Sequence, residues 1–256
     1  MRSRLALLAL LALLAGTNAG AQDRINDLGS FRALVRTPAG ALPSPVIVQM
    51  SQDSARRFAM DLRYGRFTLR NQDFFINNLG VAARVRVIRS LNVGAIVARR
   101  TCSVCDGLTM VGVEASATLL HHKAVQLGAG DSDLGLQFSA GIGNPDTLAF
   151  ITQSVGISLP VTVTLPQSNN GLLVLSVLPG VAYGRLKDDG GVVFATTDSL
   201  GAAVPGPIGT FGATRLIIGA SLAYLFPAGL GLHVTVHRIA IEESTTQAGA
   251  VVSWRF

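Results

Sequence analysis

The strongest constraint on this chain is the mismatch between how apolar it is and how short its apolar runs are. Mean hydropathy is +0.44 over 256 residues, yet past the N-terminal leader no apolar run reaches the length of a spanning helix. A helix crossing a bilayer needs about 20 consecutive apolar residues, whereas a tilted membrane strand needs about 9–11. The longest candidates, Gly171 to Tyr183 and Leu216 to Phe226, fit the second length. In hydrocarbon every backbone amide must be paired inside the protein, so apolar composition without spanning helices points to a closed barrel.

From Phe58 onward the chain alternates between apolar and polar or small residues, in segments separated by turn residues, as strands of a membrane barrel do. Reading back from the C terminus, the apolar rows are Ala248 to Phe256; Leu230 to Val236; Leu216 to Phe226; Leu173 to Tyr183; and Val155 to Leu165. Further upstream come Leu134 to Ala140, Val111 to Leu119, Val93 to Val97 and Val81 to Val87, with a first strand near Phe58 to Arg70. Pro227-Ala228-Gly229 and the run Pro166 to Gly171 are read as tight turns, and Gly190 to Ala213 as the longest loop. The expectation is all-β: a single up-and-down antiparallel transmembrane β-barrel of about ten strands, with both termini on one side. Eight or twelve strands satisfy the same parity. A secreted soluble β-sandwich would also alternate, but its outward rows would be polar, whereas here the apolar rows run long and unbroken.

The chain ends Val252-Ser253-Trp254-Arg255-Phe256. Phe256, Trp254, Val252, Ala250 and Ala248 alternate with Arg255, Ser253, Val251, Gly249 and Gln247, a strand with one apolar face. This ending resembles the terminal strand of bacterial outer-membrane β-barrels, the small OmpA/OmpX/OmpW-like barrels, whose last residue is commonly Phe and is read by the barrel-assembly machinery. The resemblance covers Phe58 to Phe256 in pattern and implies a place in the outer membrane of a Gram-negative-type bacterium. It implies outer-membrane lipid, lipopolysaccharide and the assembly machinery as partners. Small barrels of such families serve as anchors, adhesion surfaces, stress proteins or narrow pores, and the fold does not choose among them.

Met1-Arg2-Ser3-Arg4, the apolar stretch Leu5 to Ala15 and then Ala19-Gly20-Ala21 predict a Sec signal peptide over 1–21. Residues 22–57, with Pro38, Pro43 and Pro45, read as an irregular periplasmic segment, and 58–256 as the barrel. The formal charge is +6, or +4 once Arg2 and Arg4 leave with the signal. No basic run with interleaved aromatics suggests nucleic acid. Oligomeric state is not legible.

The rows opposite the apolar ones carry Arg84, Arg86, Glu114, Gln137, Thr162, Thr164, Arg215, His233, Thr235, His237, Ser253 and Arg255, so the lumen is expected to be polar and arginine-rich. Charge inside a narrow barrel must be paired or wet. A sealed network of Glu114 with neighbouring arginines is preferred to a narrow water-filled path for small anions, because wide aqueous channels belong to barrels of about 16–18 strands. Arg99, Arg185 and Arg238 occupy the lipid-facing rows just past the upper ends of three strands, where lipopolysaccharide phosphates would lie and bidentate pairing would suit guanidinium. Arginines bounding a strand in plain water have the same appearance. At the opposite rim Tyr224, Phe226, Trp254 and Phe256 collect as an interfacial aromatic girdle would.

Cys102 and Cys105 are spaced C-x-x-C in an expected extracellular loop. A zinc site wants further ligands and a redox motif a βαβ context, so a small loop disulfide is expected. His233 and His237 share the inward face about 13 Å apart, too far for one metal ion, and His121-His122 reads as part of a turn. No metal or cofactor is expected. An outer-membrane lipid-modifying enzyme would draw on His233, Thr235, Glu242 and Glu243, but Thr stands where a Ser nucleophile is wanted and the pair points inward. The preferred function is a non-enzymatic structural or surface-interaction barrel with extracellular loops. A narrow pore for small anionic or apolar solutes is second, and the enzyme third.

Overall fold

The computed structural model describes residues 56–69, 75–102, 108–123, 130–145, 150–188, 193–197, 203–207, 211–240 and 245–256. The signal peptide and nearly all of the 22–57 segment lie outside these residues, as do Cys105, the Cys102 side chain, Glu242 and Glu243.

Thirteen strands are present among the described residues. They are β1 (Phe58–Leu69), β2 (Phe75–Ile88), β3 (Leu91–Cys102), β4 (Leu108–His122), β5 (Asp131–Pro145), β6 (Phe150–Ser158), β7 (Val161–Pro166), β8 (Leu172–Asp188), β9 (Val193–Thr197), β10 (Ala203–Pro207), β11 (Phe211–Leu225), β12 (Leu230–Ala240) and β13 (Thr245–Arg255). β6 and β7 are two halves of one wall strand, both pairing with β5 on one side and β8 on the other. Eleven strands therefore form ten antiparallel staves, and β13 closes on β1 from Ala59↔Arg255 to Leu69↔Thr245. The last residue fastens the seam: Phe256 accepts from the Arg57 amide at 2.9 Å and donates to the Phe58 carbonyl at 2.9 Å.

The register fixes the barrel's size. From Leu69 the paired residues run through Thr245, Ile239, Ile217, Gly180, Ser158, Gln137, Ser116 and Asn92 to Arg86, which lies opposite Arg57, twelve residues below the start. A stagger of twelve over ten staves tilts the strands by about 40° and gives a backbone radius of about 10 Å. At that radius side chains fill the interior.

Alternation decides which faces look out. On β12 Leu232, Val234 and Val236 are 45%, 54% and 53% exposed, whereas His233, Thr235 and His237 are 4%, 2% and 2% exposed. The same holds around the wall, with Val97, Val111, Ile157, Val177, Ile218 and Leu222 all outward and exposed. A continuous apolar belt outside and a polar interior is the reverse of a soluble sandwich, and it is the architecture of a transmembrane β-barrel.

Three local features depart from the sequence reading. The row Val155 to Leu165 is interrupted at Leu159-Pro160, because proline carries no N–H for the ladder. The Gly190 to Ala213 connection contains a two-stranded hairpin, β9 with β10, from Val193↔Pro207 to Thr197↔Ala203. His121 and His122 end β4 rather than forming a turn, and His121 Nδ1 lies 2.6 Å from Asp133 Oδ1 on β5. The turns on the terminus side are tight. Gly229 adopts φ +96°, and a Cβ there would lie 2.6 Å from the Arg255 carbonyl oxygen, so Pro227-Ala228-Gly229 needs its glycine.

Candidate functional site in the lumen

Two carboxylates and two guanidinium groups meet inside the barrel. Asp61 and Arg63 alternate with the outward Met60, Leu62 and Tyr64 on β1, which turns both inward on the same face. Arg84 comes from β2 and Glu114 from β4. Arg63 donates from Nη1 to Glu114 Oε2 at 2.7 Å and from Nη2 to Glu114 Oε1 at 2.6 Å, a bidentate fork. It also donates from Nη2 to Asp61 Oδ2 at 2.7 Å. Arg84 Nη2 donates to Asp61 Oδ1 at 2.6 Å, and its Nε stands 3.6 Å from Glu114 Oε1. The four charges form a closed ring with no net charge, and all four side chains are buried.

The ring crosses β3 without touching a β3 side chain, because the residue there is glycine. Arg84, Gly94 and Glu114 sit opposite one another on β2, β3 and β4. A Cβ on Gly94 would lie 2.6 Å from Arg84 Cγ and 3.3 Å from Glu114 Cγ. Glycine thus leaves the room in which Arg84 and Glu114 come side by side, where Arg63 of β1 meets Glu114.

Of the residues singled out from sequence, Arg84 and Glu114 come together in this ring. Asp61 and Arg63 complete it, although the sequence reading did not single them out. Their signal was the β1 alternation itself, which placed an acid and a base two residues apart on the inward face. His233 instead pairs with Ser253 at 3.0 Å, both buried. Thr162 pairs with Ser176 at 3.1 Å. Arg100 donates to Asn78 Oδ1 at 2.9 Å. Arg86 and Arg215 are half-buried, and Arg255 is buried.

His237 belongs to a second interior region. It borders a cavity of about 40 Å³ with Gln137, Ser154, Leu178, Ala182 and Gln247, against the β6–β8 wall. Among the described residues Gln137 Oε1, Ser154 Oγ, His237 Nε2 and Gln247 Nε2 are buried without a hydrogen-bond partner. The cavity has space for about three waters, and although most of its lining is apolar these four polar atoms suit them.

On the outer surface Arg99, Arg185 and Arg238 all project outward, but from within β3, β8 and β12 rather than past their ends, because each strand continues two or three residues beyond its arginine. Arg99 donates to Thr109 Oγ1 at 2.7 Å. At the terminus-side rim Tyr224 and Phe226 stack edge to face at 4.8 Å, and Trp254 and Phe256 are exposed. Tyr224 donates to Asn169 Oδ1 at 2.7 Å, tying this rim to the Pro166–Gly171 turn. Among the described residues no His, Cys, Asp and Glu cluster has the makings of a metal site.

No described protein family matches the chain, and no curated protein matches it. Solved structures that resemble it are bacterial outer-membrane β-barrels. The N-terminal β-barrel domain of Pseudomonas aeruginosa OprF is 13% identical, with 77% of this chain and 97% of that one covered at a TM-score of 0.32. Ail, the attachment invasion locus protein of Yersinia pestis, is 12% identical, with 78% and 97% covered at 0.34. The β domain of the Bordetella autotransporter BrkA is 11% identical, with 79% and 99% covered at 0.37. At these identities and scores the likeness extends to neither activity nor ligand.

Proposed function

We propose that this chain is a non-enzymatic barrel of the bacterial outer membrane, exported through its signal peptide, with a sealed lumen and with loops opposite the termini that contact surface partners. The observation that carries the reading is the Asp61–Arg63–Arg84–Glu114 ring. It holds four buried charges by mutual pairing across a lumen only about 10 Å in backbone radius, which is how a small barrel fills its interior rather than conducts. The apolar belt and the Tyr224, Phe226, Trp254 and Phe256 girdle support a membrane setting, and the C-terminal Phe256 supports recognition by the assembly machinery as in small OmpA/OmpX/OmpW-like barrels. Arg99, Arg185 and Arg238, on the half of the barrel away from the termini, suit contact with lipopolysaccharide phosphates. His233 and Ser253 argue against lipid hydrolysis, because a buried pair facing the lumen offers nothing to a substrate in the membrane.

A narrow polar path is the second reading, favoured by the unpartnered groups around the His237 cavity. Planar-bilayer recording separates the two. A silent bilayer at protein levels that insert efficiently supports the sealed barrel; steady anion-selective steps, lost when the cavity is filled by Ser154→Phe, would establish the pore.

A further inference from the structure

Beside the His237 cavity the wall itself is weakened, and the weakness opens onto the membrane. In every second opposed pair of an antiparallel ladder the two residues exchange two hydrogen bonds. The Leu159 amide reaches the Pro179 carbonyl at 2.8 Å, but Pro179 has no N–H to return. The Gly135 amide reaches the Pro160 carbonyl at 2.8 Å, and Pro160 has none to return either. Both seams of one stave therefore lose a bond at the same level. On the outer face at that level lies a notch of about 650 Å³, walled by Leu159, Pro179, Val181, Leu216 and Ile218 and rimmed by Arg238.

Arg238 is an exposed guanidinium in an otherwise apolar row. Among the described residues no side chain pairs with it, and the outward rows of β8, β11, β12 and β13 contain no Asp or Glu. Eight residues above Leu230 on a strand tilted by about 40°, it sits about 20 Å above the terminus-side rim of a belt about 25 Å tall. From there its side chain can snorkel to the far headgroup layer. A cation at headgroup level over an apolar notch is complementary to a phosphate over an acyl chain.

We propose that this notch is a binding site for one anionic membrane lipid, with an acyl chain lying between Leu159, Pro179 and Ile218 and the lipid phosphate paired to Arg238. The site rests on the membrane-barrel reading above and assigns it a specific lipid partner at one of the three outward arginines. Arg99 and Arg185 do not line this notch, so they are not part of the site.

The test is native mass spectrometry of the full chain, inserted into nanodiscs of equal parts phosphatidylcholine and phosphatidylglycerol and then released into detergent. One phosphatidylglycerol should remain bound in preference to phosphatidylcholine. Arg238→Gln should reduce its retention roughly tenfold, the scale of one hydrogen bond to a charged group, and remove the headgroup preference. Val181→Trp, which fills the notch, should abolish retention while heat-modifiable gel mobility stays unchanged. Glycerophosphoglycerol, the headgroup without its chains, should not bind. Equal retention of both lipids, or retention untouched by either substitution, overturns the site. So does a lipid-free dimer that Val181→Trp dissociates, which would give the notch to a second copy of the chain. A chain that inserts with normal mobility yet holds no lipid refutes this site alone, whereas a chain that never enters the discs refutes the membrane reading with it.

Discussion

The two sides of this barrel solve the same problem differently. From β1 to β5 the ladders run almost unbroken and the interior is tied by the ion ring, with Gly94 keeping its path clear. From β6 to β8 the ladder is interrupted at Leu159-Pro160 beside Pro179, a cavity lies against the wall inside and the exterior is notched, while unpartnered buried polar atoms occur on both sides, at Asn92 and Asp133 as at Ser154. The interior holds only small apolar clusters, such as Ala98, Leu108 and Met110 or Val174, Ala223 and Leu225, so rigidity is set largely by hydrogen bonds in the wall and pairing in the lumen. The charge-tied side is built to stay shut. The proline side is where the wall can yield.

That contrast can be broken most severely at Arg63. Arg63→Met leaves Glu114 and Asp61 short of their shared partner and should cost about 3–5 kcal/mol, the range for stripping one member from a buried pair. Urea unfolding of the barrel in lipid vesicles would show it, and a loss under 1 kcal/mol would mean the ring is not tying this side. Gly94→Ala comes next, at about 1–3 kcal/mol, since its methyl would strike Arg84 Cγ and the Ala83 carbonyl; an Ala variant as stable as the parent would remove glycine's role in the ring.

Substitution on the other side should act in the opposite direction. Pro160→Val returns a donor to the β5 seam and should raise stability by about 0.5–1.5 kcal/mol, with slower hydrogen exchange at Gly135 and Leu159. Unchanged exchange would show that the missing donor does not weaken the wall. An effect of similar size belongs to Ser253→Ala, which takes a hydrogen bond from buried His233 and should cost about 1 kcal/mol. No cost there would mean that His233 finds another partner within the lumen.

Much of this architecture was readable from the chain because β-strand side chains alternate strictly and lipid makes one face apolar. The rows from Val81 to Phe256, the parity and the inward set from Arg84 to Arg255 all follow from that alternation. Asp61 and Arg63 escaped notice because the partners that complete the ring lie far off in sequence, Arg84 at 23 residues from Asp61 and Glu114 at 51 residues from Arg63, and local periodicity carries no information about which inward residues meet across a lumen. Pro160 was legible as a residue but not as a break, since the apolar period of Val155 to Leu165 continues through it undisturbed. The notch and the cavity depend on side-chain volumes brought together from several staves, which no single segment encodes.

If the apolar rows meet lipid and the polar rows meet one another, exposure to the membrane must alternate residue by residue along a strand. Spin labels placed singly at Leu232, His233, Val234, Thr235 and Val236 in protein reconstituted into bilayers, with Cys102 and Cys105 replaced by Ser, test it most directly through collisional access of dissolved oxygen. Access should be high at Leu232, Val234 and Val236 and low at His233 and Thr235. Uniform access along the strand, or an inverted pattern with the apolar positions shielded, would contradict it.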